Sequence, residues 1–351
     1  MELRKDPITR SWVLAGNNDE AGGPESQCPY CLDESPLTPK IVAPLAPILA
    51  IPTSGPSNGV PGAIRVYPHP SPLYTVEGGA DRQAEGIYDR MRNLGAHEVI
   101  IESPDHYHEL SFAPEAEIAA LLRCWALRIA DLKNDIRLRY VTVFKNRGDL
   151  SGQQLRHAHS ELAASAFIPR RVLYELRSCK DYYQLKERCV FCDILRQEER
   201  QGLRVVDLSP RYLALCPFAS RVPFEVWILP RPHHASFEED LLQRPDDFEL
   251  ASLLRRVLAR LEHVAPSYHL VLHTSPNTRA RPETSGFWTT LADDYHWHIE
   301  IMPITEKRSR SYSIKETYYC PLPPEEAAAR LRDLPTSFAG RAQAKLDFPA
   351  R

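Results

Sequence analysis

The chain has 351 residues, 43% of them hydrophobic and 25% charged, with a formal net charge of −3. That length suits about two domains, and the composition excludes a disordered or fibrous chain. The near-neutral charge excludes a general polyanion binder and leaves room only for a local basic pocket.

Proline is abundant: 31 residues, about 9% against the ~5% that is usual, which predicts long ordered connections and clean strand ends. Met1 to Arg10 is charged, and the apolar run Trp12-Val13-Leu14 is too short for a signal peptide. The bland stretch Ala43 to Pro52 is broken by prolines and too short to span a bilayer. A cytoplasmic location is therefore expected. The eight cysteines are read in that light. Four stand alone, and the others form two C-x-x-C pairs, which in a reducing compartment indicate metal ligands rather than disulfides.

The first pair is Cys28-Pro-Tyr-Cys31, followed by the Pro-rich segment Leu32 to Arg65, expected as an irregular surface excursion. A strand at Val99-Ile100-Ile101 ends in Ser-Pro-Asp-His106. Ile118, Leu121, Leu122, Trp125, Ile129 and Leu132 recur at helical spacing. The strand Tyr140 to Phe144 then leads to His157-Ala-His159. After the second pair, Cys189-Val-Phe-Cys192, the order repeats. A strand Glu225 to Leu229 runs into Pro-Arg-Pro-His233-His234, and Leu250, Leu253, Leu254, Val257, Leu258 and Leu261 stripe a helix. The strand Leu270 to Leu272 precedes His296-Trp-His298. A short Ala-rich helix, Glu325 to Arg332, lies in the tail.

This order of features marks an internal duplication, with the division near residue 180. Short strands with one long helix per half predict an α+β fold of two tandem domains, residues 1–180 and 181–351, with antiparallel sheets. Period two places His296, His298, Glu300 and Met302 on one face of the closing strand.

A tetrahedral zinc site takes four sulfur or nitrogen ligands. Each C-x-x-C supplies two, and later histidines of the same half complete the set. The candidates are Cys28, Cys31, His106 and His157, then Cys189, Cys192, His233 and His296. His108, His234 and His298 compete, each one or two residues away. In half one, Phe144 to Glu161 combines a glycine-bearing loop, the basic residues Lys145, Arg147 and Arg156, and the histidine pair. Free amides and cations of that kind suit phosphates. With His157 on zinc, His159 projects nearby, and a neutral imidazole is a competent nucleophile toward phosphorus.

These pieces together resemble the galactose-1-phosphate uridylyltransferase family of the histidine-triad superfamily, including its ADP-glucose phosphorylase branch. The pattern runs from Asp6-Pro-Ile-Thr-Arg-Ser-Trp-Val through C-x-x-C, Ser-Pro-Asp-His106, Phe-Lys-Asn-Arg-Gly and His-Ala-His-Ser to Pro-Phe-Glu-Val-Trp-Ile-Leu-Pro and His-Trp-His. The resemblance implies two histidine-triad-like halves and a nucleotidyltransferase acting on a nucleotide sugar. His159 would carry the nucleotide covalently, oriented by the carbonyl of His157, and sugar 1-phosphate or phosphate would be the second partner. It places Asn146, Gly152 and Ser160 at phosphate contacts and Gln154 where a serine is common. It implies zinc at Cys28, Cys31, His106 and His157. For a second metal, iron or zinc, it offers Glu175, His273, His296 and His298, or Cys189, Cys192, His233 and His296, the set preferred here. It admits a homodimer and implies no nucleic-acid or membrane partner.

The chain departs from the family at Glu161, where glutamine is usual, and at His69, where an asparagine near the nucleoside is usual. A carboxylate at position 161 should repel phosphate unless it is paired with Arg147 or Arg156, protonated, or met by a donor on the substrate. Hydrolysis of a nucleotide, or zinc-stabilised nucleotide binding without turnover, are the competing functions.

Overall fold

The computed structural model describes residues 1–16, 28, 30, 47–57, 60–153, 155–244, 247–279, 289–305 and 317–336. Strands β1 (Glu2–Lys5) and β2 (Trp12–Ala15) open the chain, and β3 (Leu49–Ser57) and β4 (Val60–Pro68) form a hairpin. Strands β5 (Gln83–Glu85), β6 (Tyr88–Arg92) and β7 (Gly95–Ile101) precede helix α1 (Glu115–Leu132). Then come β8 (Tyr140–Arg147), a 3-10 turn at Asp149–Ser151, β9 (His159–Ser165), and helices α2 (Arg170–Lys186) and α3 (Val190–Gln201). The second half adds β10 (Val205–Leu208), β11 (Tyr212–Leu215), β12 (Val226–Pro230), α4 (Phe237–Leu242), α5 (Phe248–Leu261), β13 (Ser267–His273), α6 (Leu291–Asp294), β14 (His298–Ile304) and α7 (Pro324–Asp333).

The architecture is α+β, and every pairing between named strands is antiparallel. Strands β2-β1-β6-β5 make a small sheet. The other ten form one sheet in the order β10-β11-β12-β14-β13-β8-β9-β7-β4-β3. Its centre is the β8–β13 pair, where Phe144 faces Val271. Read outward from that centre, the halves match: β8, β9, β7, β4, β3 on one side and β13, β14, β12, β11, β10 on the other. The helix before each central strand, α1 or α5, lies on the same face, and its predicted apolar stripe is buried in one continuous core. Asp247 caps α5 by accepting the Leu250 N–H at 2.9 Å. The site side chains stand on the opposite face, which α2 and α3 pack in the second half.

One expectation needs correction. Part of the segment read as irregular, Leu32 to Arg65, is the β3–β4 hairpin. Ile64 and Val66 are fully buried there, and β3 is an edge strand where the register slips between Pro52 and Pro56. Residues 32–46 lie outside the described residues. Helices α2 and α3 follow β9, and residue 180 lies within α2.

Candidate active site

His159 opens β9 and is 1% exposed. Its Nδ1 lies 2.7 Å from the carbonyl oxygen of His157. A carbonyl only accepts, so the ring proton is on Nδ1 and Nε2 carries the lone pair. Lys145 Nζ donates to the carbonyl of His159 at 2.9 Å and to Glu102 at 2.8 Å, fixing that backbone. Alternation along β9 sends His159 and Glu161 to one face and Ser160 to the other, where Trp125 Nε1 donates to the Ser160 hydroxyl at 3.0 Å. The Ser160 side chain therefore faces α1 and not the His159 face. Asn146 shares the face of Glu161, because its neighbour Phe144 pairs with Glu161 across β8 and β9. Its Oδ1 accepts from His269 Nδ1 at 2.7 Å, which leaves its amide as a donor.

After β8 the chain turns through Gly148 (φ 86°) and Gly152 (φ 72°). A Cβ at Gly148 would lie 2.3 Å from Ser267 Oγ. Gly152 is exposed with open space around it, and Gln154 lies outside the described residues. Lys145 and Arg147, expected to balance phosphate charge, are committed elsewhere: Arg147 to Glu109 and Glu262, Lys145 as above. Arg156 is exposed.

Glu161 pairs with neither arginine. Its Oε2 accepts from His97 Nε2 at 3.0 Å and lies 3.8 Å from His69 Nε2, and its Oε1 is 3.6 Å from His159 Nε2. Burial opposes its ionisation. The His97 hydrogen bond and the nearness of the His159 ring outweigh burial and hold the carboxyl at about 2. The rings of His69 and His97 stack with centroids 4.1 Å apart. Sequence reasoning missed His97. The signal was a histidine beside Glu98 in the otherwise apolar strand Gly95–Ile101.

The metal candidates assemble as clusters, and His157, His233 and His296 are aimed the same way. His157 Nε2 donates to the Ser103 carbonyl at 2.7 Å, so Nδ1 faces Cys28 Sγ at 3.5 Å. His106 completes the described part of that cluster, and Cys31 lies outside the described residues. In the second half Cys189, Cys192, His233 and His296 converge. His296 Nε2 donates to the Pro230 carbonyl and His233 Nε2 to the Ala292 carbonyl, both at 2.8 Å. Their Nδ1 atoms face Cys192 Sγ at 3.7 and 3.3 Å. A carbonyl that anchors one imidazole nitrogen, with the other nitrogen turned to thiols, orients the ring as zinc ligands are oriented. Burial drives His157 down to about 4, keeping it neutral. Cys192 titrates below its ordinary value because the Cys189 thiol donates to it, with His233 and His296 adding to the effect against burial. Cys192 sits just inside the N-terminus of α3, with Cys189 as the residue before the helix.

The competing ligands are engaged elsewhere. His108 faces Glu117 at 3.8 Å, and His234 meets Asp240 at 3.1 Å. His298 repeats the geometry of His159, with Nδ1 3.2 Å from the His296 carbonyl, and its ring stacks on His273. Glu175, His273, His298 and Glu300 come together, while His296 stays with the cysteines. Burial opposes protonation of His273, but Glu175 and Glu300 raise it to about 10. Arg171 and Arg221 both donate to Glu300. Without a metal this group closes as an ion-pair network of His273, Arg171 and Arg221 with Glu175 and Glu300, and its four ligand atoms lie close enough to hold an ion.

Residues 75–169 match the family model "Galactose-1-phosphate uridyl transferase, N-terminal domain". The chain is 27% identical to ADP-glucose phosphorylase of Arabidopsis thaliana over 95% of its length and 93% of that protein. It is also 27% identical to galactose-1-phosphate uridylyltransferase of Thermotoga maritima, over 95% of the chain and 98% of that protein. Among solved structures, a uridylyltransferase superposes with a TM-score of 0.75 at 26% identity, covering 95% of this chain and 97% of that one. An Arabidopsis thaliana ADP-glucose phosphorylase with bound ADP-glucose superposes at 0.71 and 26% identity, covering 96% and 100%. The chain thus resembles the galactose-1-phosphate uridylyltransferase family along nearly its whole length, as its motifs implied. The Thermotoga maritima uridylyltransferase and the Arabidopsis thaliana ADP-glucose phosphorylase match it at the same identity over the same share of the chain.

Proposed function

We propose that the protein is a nucleotidyltransferase that takes a nucleotide from a nucleoside diphosphate sugar onto His159 and passes it to a phosphate-bearing acceptor. The observation that carries this reading is the His159 Nδ1 bond to the His157 carbonyl, which presents a neutral Nε2 lone pair. Nε2 attacks the α-phosphorus, an N–P bond forms, and the P–O bond to sugar 1-phosphate breaks. The positive charge that develops on the ring is stabilised through Nδ1–H by the His157 carbonyl. Sugar 1-phosphate or phosphate then attacks the phosphorus, and the electron pair returns to Nε2. The Asn146 amide stands on that face as a donor to phosphate.

The reading extends to metal and location. Cys28, Cys31, His106 and His157 would hold one zinc, and Cys189, Cys192, His233 and His296 another. Zinc there supplies folding stability by tying distant segments together. Residues 1–180 and 181–351 are taken as the two copies of the duplicated unit. Among the described residues no helix is long and apolar enough to cross a membrane, and every described cysteine is a free thiol. That thiol state suits the cytoplasm.

The test is incubation with UDP-glucose, UDP-galactose and ADP-glucose followed by intact-mass measurement. One nucleotidyl group per chain is expected on wild type, discharged by hexose 1-phosphate or phosphate. No adduct with any of the three, together with sequential kinetics, would overturn the covalent mechanism.

A further inference from the structure

His69 and Glu161, the two departures from the family pattern around the nucleophile, are 92 positions apart and meet beside it. His97 joins them, and all three could be taken for a cation site. The hydrogen bonds argue otherwise. The backbone N–H of Leu73 donates to His97 Nδ1 at 3.2 Å, so the His97 proton is on Nε2, where it is given to Glu161. A nitrogen that carries a proton is not a ligand, and His69 with Glu161 alone makes too few. His97 is instead a fixed donor that ties down one carboxylate oxygen. The other oxygen, Oε1, points toward His159 and can only accept.

Resting on the reading that the nucleotide rides on His159, we propose that Glu161, positioned by His97, accepts the proton of the acceptor phosphate, so that the site takes a phosphate group in its hydrogen-bearing monoanionic form. An ionised carboxylate repels a dianion but binds a P–OH group. In the transfer step an unprotonated acceptor oxygen attacks the phosphorus on Nε2. The new O–P bond forms, the P–N bond breaks with its electron pair returning to Nε2, and the acceptor proton passes to Glu161 Oε1. The charged or titratable groups facing Glu161 are His69 after β4, His97 on β7 and His159 on β9. From β8 its cross-strand partner is the uncharged Phe144.

The experiment uses wild type, Glu161→Gln, His97→Ala and His97→Gln, each preloaded with nucleotide from a nucleotide sugar. Discharge is followed with inorganic phosphate and with hexose 1-phosphate from pH 6 to 8.5, with sulfate as competitor. Sulfate has the shape of phosphate but no proton at these pH values. Wild type should exclude sulfate and show an acceptor KM that rises as the acceptor loses its proton. Glu161→Gln should admit sulfate at least tenfold better and flatten the KM profile. His97→Ala should shift both readouts the same way, and His97→Gln, whose amide can still donate, should restore them. Sulfate competing with wild type as well as phosphate does, or an unchanged KM profile in Glu161→Gln, would overturn the proposal whatever the other variants do. Failure of wild type to load would overturn the His159 reading and the inference with it.

Discussion

At the residue scale, His157 serves two purposes with different atoms: its ring faces Cys28 while its carbonyl holds His159. The two histidines should therefore fail differently. His159→Ala is expected to abolish covalent labelling and turnover with metal content kept, and His157→Ala to lose one metal equivalent and several degrees of Tm. Labelled His159→Ala would move the nucleophile elsewhere. Glu161 yields a pH prediction. Its ordinary value of 4.5 falls to about 2 on folding. Its stabilisation is therefore complete above pH 4.5 and lost as the pH drops toward 2, and it amounts to at most ~3 kcal/mol. Glu161→Gln should flatten the fall of Tm across that window, and an unchanged slope would place the proton uptake in other groups. The grouping of Cys28, Cys189 and Cys192 with their histidines was legible because metal-type residues are recognised by type and spacing. The partners of Glu161 were not, because strand register alone brings His97 on β7 across from β9.

At the scale of elements, α1 and α5 were readable from their period, since each buries one apolar stripe. Helix α2 buries only Val172, Leu176 and Cys179 among its 17 residues, a weak amphipathic signal. The β3–β4 hairpin was masked by prolines that an edge strand tolerates. One tie between layers is the bidentate pair of Arg128 on α1 with Glu98 on β7, at 2.6 and 2.8 Å. Both side chains are buried, so Arg128→Met should cost about 3–5 kcal/mol by stranding a carboxylate, and adding Glu98→Gln should recover part of it. Urea unfolding of the single and double variants measures this, and equal losses in both would show packing, not charge, at work. Elemental analysis should find two zinc ions per chain and one after Cys192→Ser.

For the whole molecule, the continuous sheet and its shared core make one cooperative unit of the two halves. Calorimetry on metal-loaded protein should show a single transition, and two resolved transitions would mean that the β8–β13 seam is weaker than the strand pairs on either side. The duplication itself was legible from the repeated order of pairs, strands and histidines. The joining of both copies in one sheet was not, because nothing in β8 or β13 names its partner.

That seam also bears on descent. A single ancestral copy had to protect the strand edge now hidden between β8 and β13, most simply by pairing with an identical chain. In one chain the pairing of β8 with β13 is intramolecular, so the two copies can differ in sequence while the edge stays covered. In one copy, the second H-x-H histidine stands beside Glu161, and in the other its counterpart His298 stacks on His273. Neither copy can now be lost without baring a raw edge in the survivor. The fusion works as an evolutionary ratchet, and separately expressed halves should regain solubility only when they are made together.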